Sequence, residues 1–380
     1  MRSLLMGLLA ATALAGAARA DLAISSNDSH TILKDGVQVA PDKVPPDTLT
    51  VLDLKAYPPR LVATIEAPGS VVGPPMAVAI SADESFAIVT SATKADPAGT
   101  GGIGPDDRVS VIDLTSNPPR ITQSLAAGAG ATTVRIAPDG KLALVANRTA
   151  GTVSVFTIAD RRLTPAGTVM IGPASMPGGM VFAKGGRVAL VSRYGDHQTS
   201  VLRIEGTAVK IDPRPITTAL APYTMDATAD GTLAAVANMG RGDGDADTVS
   251  LIDLSAEPFR TVQTVAAGRS PEGLKWSPDG KFLAIGAQDG STKPAASPFV
   301  RDRGRLLMFA LEGKALRQVA EAPIGRWSQG IAFSRDGKTI LVQNMVERTI
   351  QVFQWDGAKL TPGESLRIGS GPAAIATSWP

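Results

Sequence analysis

The sequence contains no cysteine and only two histidines in 380 residues. Without cysteine there are no disulfides, no thiolate metal ligands and no cysteine nucleophile. A chain of this length can do without disulfides because it can bury a substantial core. Two histidines and no thiol leave little from which to build a transition-metal site, so neither metal nor cofactor is expected. A nucleotide-binding glycine motif and a nucleophile-elbow motif are also missing. After residue 20 no segment is long and apolar enough to cross a bilayer.

Net charge carries little information once the N-terminus is set aside. Arg2 followed by the apolar stretch Leu4 to Ala18 and the small-x-small sequence Ala18-Arg19-Ala20 reads as a secretory signal peptide. Removing Arg2 and Arg19 takes the basic count from 37 to 35, equal to the 35 acidic residues. The remainder, 21–380, therefore gives no reason to expect nucleic acid as a partner. It reads as one exported domain, periplasmic or secreted.

What the chain does have is a repeat. An apolar segment, a tight turn and a second apolar segment recur every 45 to 57 residues, with turns at Asp83-Glu84, Asp139-Gly140, Gly185-Gly186, Asp230-Gly231, Asp279-Gly280 and Asp336-Gly337. Asp-Gly suits a hairpin because glycine tolerates positive φ. A third strand with alternating pattern follows, as in Val109-Ser110-Val111-Ile112, Val153-Ser154-Val155-Phe156 and Val249-Ser250-Leu251-Ile252. A fourth follows another turn, as in Arg120 to Leu125 and Thr261 to Val265.

Strand repeats of this period indicate an all-β radial array. Six units are complete. Residues 371–379 resemble a first strand and residues 22–27 a second, with Thr48 to Leu54 and Leu61 to Glu66 supplying the third and fourth. The prediction is a seven-bladed β-propeller whose closing blade is built from both termini, which removes open sheet edges. A β-sandwich or two smaller domains is the competing arrangement, but the repeats run on without a linker.

Seven residues after the turn glycine, the second strand ends in Asn147, Asn238 and Asn344, and Ser25-Ser26-Asn27 fits the same place. With Thr152 to Val155 and Thr248 to Leu251 following, this pattern resembles the YVTN-repeat propellers and, more broadly, the lactonase-like seven-bladed superfamily. The resemblance implies a small-molecule site in a central funnel, and lactone hydrolysis or a related cyclisation if the chain is an enzyme. Such relatives often carry a histidine where the first strand starts. The comparable places here hold Glu272, Gln329 and Met225.

Loops after the second and fourth strands share one face of such a ring, and three of them, 27–47, 91–107 and 287–304, are long enough to form a lid or rim. Both histidines fall in this set. Arg193-Tyr194-Gly195-Asp196-His197 groups an anion-binding arginine with a possible acid and base. His197 or a carboxylate such as Glu272 would activate water, with Arg193 stabilising an oxyanion; the plainer alternative is a solvated loop. His30 sits on the expected rim. Arg269 and Arg326, beside Glu272 and Trp327, either grip a carboxylate or phosphate or pair with neighbouring acids. Tyr194, Asp196, Asn238, Asn344 and Arg348 complete the expected ligand-binding set on that face. Asp243, Asp245 and Asp247 start like a calcium loop, but Leu254 stands where its final glutamate belongs, so a mobile acidic loop is the simpler account.

Two functions remain open from sequence. One is an exported propeller that binds a small polar or anionic ligand, with or without turnover. The other is a non-catalytic module that binds a protein or cell-envelope partner.

Overall fold

The computed structural model describes residues 21–378, so the leader expected at 1–20 lies outside the described residues. Seven sheets of four or five antiparallel strands are arranged as blades. Blades 1 to 6 span 78–126, 131–170, 177–217, 222–266, 271–324 and 328–367, in chain order. Blade 7 takes its inner strand, Gly371–Thr377, from the C-terminal end and pairs it with Leu22–Asp28, then Thr48–Asp53 and Arg60–Glu66. The divided closing blade is as the sequence predicts.

Local chemistry explains why the repeat folds this way. Ser277 donates its hydroxyl to Asp279 Oδ1 at 2.6 Å and accepts the Phe282 N–H at 3.0 Å, which locks the turn before Gly280 (φ +69°). Ser81, Thr228 and Ser334 make the same pair of bonds in blades 1, 4 and 6. At the other end of the second strand, Asn147 Nδ2 donates to Thr152 and Ser154, both at 2.9 Å. Asn27 and Asn238 grip Thr48 and Thr50, and Thr248 and Ser250, in the same manner. The recurring asparagine is thus a clamp between second and third strands.

The core lies between blades. Ala235, Val249 and Leu251 of blade 4 pack on Leu274, Trp276, Leu283 and Phe309 of blade 5. At the seam, Ala23 and Leu52 of blade 7 meet Leu341 and Val352 of blade 6. Gln343 stitches the same seam, donating to Ser25 Oγ at 2.7 Å and to the Ala374 carbonyl at 2.9 Å.

Two of the expected long loops contain hairpins. Ile32–Lys34 pairs with Val37–Val39, and Thr93–Ala95 with Ile103–Pro105. The three long segments touch one another: the Ala40 N–H donates to the Gly101 carbonyl at 2.7 Å, and the Ala295 N–H to Asp35 Oδ1 at 2.8 Å. Gly36 (φ +80°) lies so close to Pro294 that a Cβ there would meet its ring at 2.7 Å.

Candidate functional site

Two positions of the repeat supply much of the lining of a central cavity on this face. The first is the second residue of an inner strand. Strand register aligns Pro222, Pro271 and Ser328, each opposite the last residue of its second strand, so Tyr223, Glu272 and Gln329 are equivalent. The other is the residue just after the second strand: Arg148, Tyr194, Met239 and Gln288 in blades 2 to 5. Tyr223 and Glu272 join those four in a cavity of about 430 Å³, closed off by Leu33, Gly36 and Gln38 of the first hairpin and by Thr292, Lys293 and Pro294. The first and third long segments therefore form the wall and roof of a funnel.

Arg148 dominates the interior. Its guanidinium carbon is 4.4 Å from the Tyr194 ring centre and 5.6 Å from that of Tyr223, and the two rings meet edge to face at 5.6 Å. Cation–π contact holds the group in place without using its donors. Arg148 Nη1 is buried and has no hydrogen-bond partner among the described residues. A charged donor left unpaired on a cavity wall is costly, and a ligand oxygen would relieve that cost.

Glu272 is the second element. Its side chain is buried and accepts hydrogen bonds from Gln288 Nε2 and from the Gln329 amide. Thr292 orients Gln288 by donating to its Oε1 at 2.9 Å. Burial pushes the Glu272 carboxyl up to about 8, against the two amides, which favour the ionised form. Burial also raises the Tyr223 phenol, helped by the Glu272 charge and opposed by Arg148, so it stays a donor. Tyr223 accepts the Gly73 N–H, and Gly73 (φ +107°) must be glycine because a Cβ would overlap Thr132 Oγ1 at 1.6 Å.

Comparison with known proteins agrees with this architecture. The family described as "Lactonase, 7-bladed beta-propeller" matches residues 110–221. No curated protein sequence matches the chain. Among solved structures, a periplasmic gluconolactonase from Pseudomonas aeruginosa superposes with a TM-score of 0.67 at 18% identity, covering 94% of this chain and 98% of that one. A candidate 6-phosphogluconolactonase from Bacteroides fragilis gives 0.71 at 17% identity, covering 95% and 99%. Another from Bacteroides uniformis gives 0.71 at 16%, covering 94% and 99%. The chain is a seven-bladed β-propeller, and its residues 110–221 are similar to the lactonase family. Identities this low speak for the fold alone.

In this propeller, three residues of the expected set reach the funnel: Tyr194, Glu272 and Trp327. The others do not line it. Arg193 occupies a clamp position and spends its guanidinium on both oxygens of Asp196 and on Ser200. His197 (φ +62°) is exposed and accepts the Ala221 N–H through Nδ1 at 3.2 Å. Asn238 is a strand clamp. Asn344 accepts the Gly325 N–H at 3.0 Å and points its amide toward Gln351. Arg269 is held by Asp289 and the Phe299 carbonyl, and Arg326 by Glu347, so both take the ion-pair alternative. Arg348 lines a neighbouring cavity.

Two placements are corrected. Met225 is fully buried in the core between blades 3 and 4; a register shift between Pro222 and Met225 puts Tyr223 at the start of the strand instead. His30 is not on a rim: it is 2% exposed, with Nδ1 3.0 Å from Asp47 and Nε2 3.1 Å from Thr93 Oγ1. Burial pulls its pKa down, but the Asp47 hydrogen bond and the charges of Asp28 and Asp47 outweigh it and leave it raised. Among the described residues, Asp28, His30 and Asp47 are the one trio of metal-competent groups, their donor atoms within 4.8 Å. Asp28 already accepts the N–H groups of His30, Thr31 and Val71, all at 2.8 Å, so the trio works as a knot tying blade 7 to blade 1. Asp243 and Asp245 are exposed, while Asp247 accepts the Ser270 N–H at 2.7 Å.

Arg148, Tyr223 and Gln288 lie in three separate segments, so no single stretch of sequence marks them. Their signal is positional. They occupy the two funnel-facing places in the repeat. Among the described residues no helix is long and apolar enough to cross a membrane.

Proposed function

We propose that this protein is exported and binds a small hydroxylated carboxylate or its lactone in the funnel, and that it hydrolyses the lactone. The carrying observation is Arg148 Nη1, a buried donor without a partner on the wall of a 430 Å³ cavity. In this reading Arg148 takes the lactone carbonyl oxygen and holds the charge that develops there. Ionised Glu272 removes a proton from water as its oxygen attacks the carbonyl carbon. The ring C–O bond then breaks, and Glu272 returns the proton to the leaving alkoxide. A carboxyl titrating near 8 suits both halves of that exchange close to neutral pH. Leu33, Gly36 and Pro294 narrow the site and suit it to small molecules.

The test is a lactone turnover assay paired with thermal-shift titration of the matching aldonate. Arg148→Met should lose both signals, and Glu272→Gln should lose turnover while binding persists. Aldonate binding by wild type without turnover would leave a binding module and remove the catalytic half. No response of wild type to either ligand would overturn the reading and favour a protein or envelope partner.

A further inference from the structure

Beside the funnel lies a second cavity of about 170 Å³ between blades 6 and 7. Leu33 and Trp327 line both, so they form the partition. An apolar cavity of about 150 Å³ holds a benzene-sized molecule. The side cavity is therefore large enough for a ligand with one six-membered ring.

Its lining is amphipathic. Ile32, Leu33, Trp327, Met345 and Val346 supply apolar surface. Thr31, 1% exposed, presents an Oγ1 with no hydrogen-bond partner among the described residues, and the buried Ser29 Oγ is likewise unpartnered. Buried hydroxyls of native proteins are nearly always paired, so two orphans on one cavity wall point to a polar occupant. Arg348 is exposed and commits only Nη1, in a long 3.4 Å contact with the Gly369 carbonyl. Its backbone is left-handed (φ +54°) and is fixed by the Met345 carbonyl and the Ile368 N–H. Asp28 also borders the cavity, but its oxygens are taken by three backbone N–H groups.

We infer that this cavity is a second binding site, separate from the funnel, for a small aromatic hydroxy acid. The carboxylate is received by Arg348 at the exposed edge, the ring lies against Trp327 and Met345, and the ligand hydroxyl pairs with Thr31 and Ser29. A planar carboxylate suits the guanidinium fork, and a ring suits the apolar wall.

The experiment is calorimetric titration of the full chain with 4-hydroxybenzoate and with benzoate. Wild type should bind 4-hydroxybenzoate at one site and more tightly than benzoate. Arg348→Gln should weaken both by about tenfold or more. Thr31→Val should erase the preference for the hydroxylated ligand, about three- to tenfold, and Thr31→Ser should keep it. Arg148→Met should change neither, because Arg148 does not touch this cavity. The inference is overturned if wild type shows no saturable binding up to about 10 mM. It is equally overturned if Arg148→Met abolishes binding that Arg348→Gln retains, which would move the ligand to the funnel. These outcomes do not depend on lactone turnover.

Discussion

The guanidinium of Arg148 rests 4.4 Å from the centre of the Tyr194 ring, and its Nη1 is left without a partner. The aromatic face positions the cation while the donors stay free for a ligand. Tyr194→Leu should therefore weaken aldonate binding by about three- to thirtyfold, the range of one partly desolvated cation–π contact. Tyr194→Phe should bind like wild type. Calorimetric titration of the two variants separates stacking from any role of the phenol.

Glu272 makes the protein pH-sensitive in a direction that can be worked out. Its folded pKa of about 8 lies above the ordinary 4.5, so the folded state holds the proton more tightly than the unfolded state. The stability it contributes is full below 4.5 and is lost as pH rises toward 8. Glu272→Gln cannot ionise, so its melting temperature relative to wild type should climb across that window and level off above it. A pH-independent difference in scanning calorimetry would contradict the burial account. Turnover of wild type should rise with pH toward a midpoint near 8.

Asp35 latches the roof by accepting the Ala295 N–H at 2.8 Å. Asp35→Ala should speed hydrogen exchange at Ala295 by about tenfold, with exchange in the inner strands unchanged. Exchange at Ala295 equal to wild type would mean that the roof is held by other contacts.

Gln343 carries the ring closure through Ser25, Ala374 and the Gly330 N–H, which it accepts at 3.1 Å. Gln343→Ala removes all three bonds from the buried seam, although Ser25 keeps its bond to Asn27 Oδ1. It should cost about 2–4 kcal/mol in urea unfolding. A surface glutamine such as Gln318 should tolerate the same change within about 0.5 kcal/mol.

The architecture was legible because turn and clamp chemistry repeats in one dimension. Asp279-Gly280 and Asn238 specify their bonds locally, and Asn27 together with residues 371–377 announces the shared blade. The site was less legible because a propeller gathers it from single residues about fifty positions apart. Arg148 stands in a short loop beside Asn147 and Thr149, where nothing adjacent marks it. Arg193, Asp196 and His197 cluster in sequence, yet their polarity is consumed by one another and by backbone. Met225 shows the sensitivity of register: a bulge after Pro222 moves the funnel position two residues upstream. Counting one residue past each second strand would have found Arg148, Tyr194 and Gln288 together.

The most direct test of the central claim is calorimetric titration of an aldonate, such as gluconate, into wild type and Arg148→Met. Saturable one-site binding to wild type, weakened at least about tenfold in the variant, is the predicted result. Equal affinity in the two proteins would contradict it.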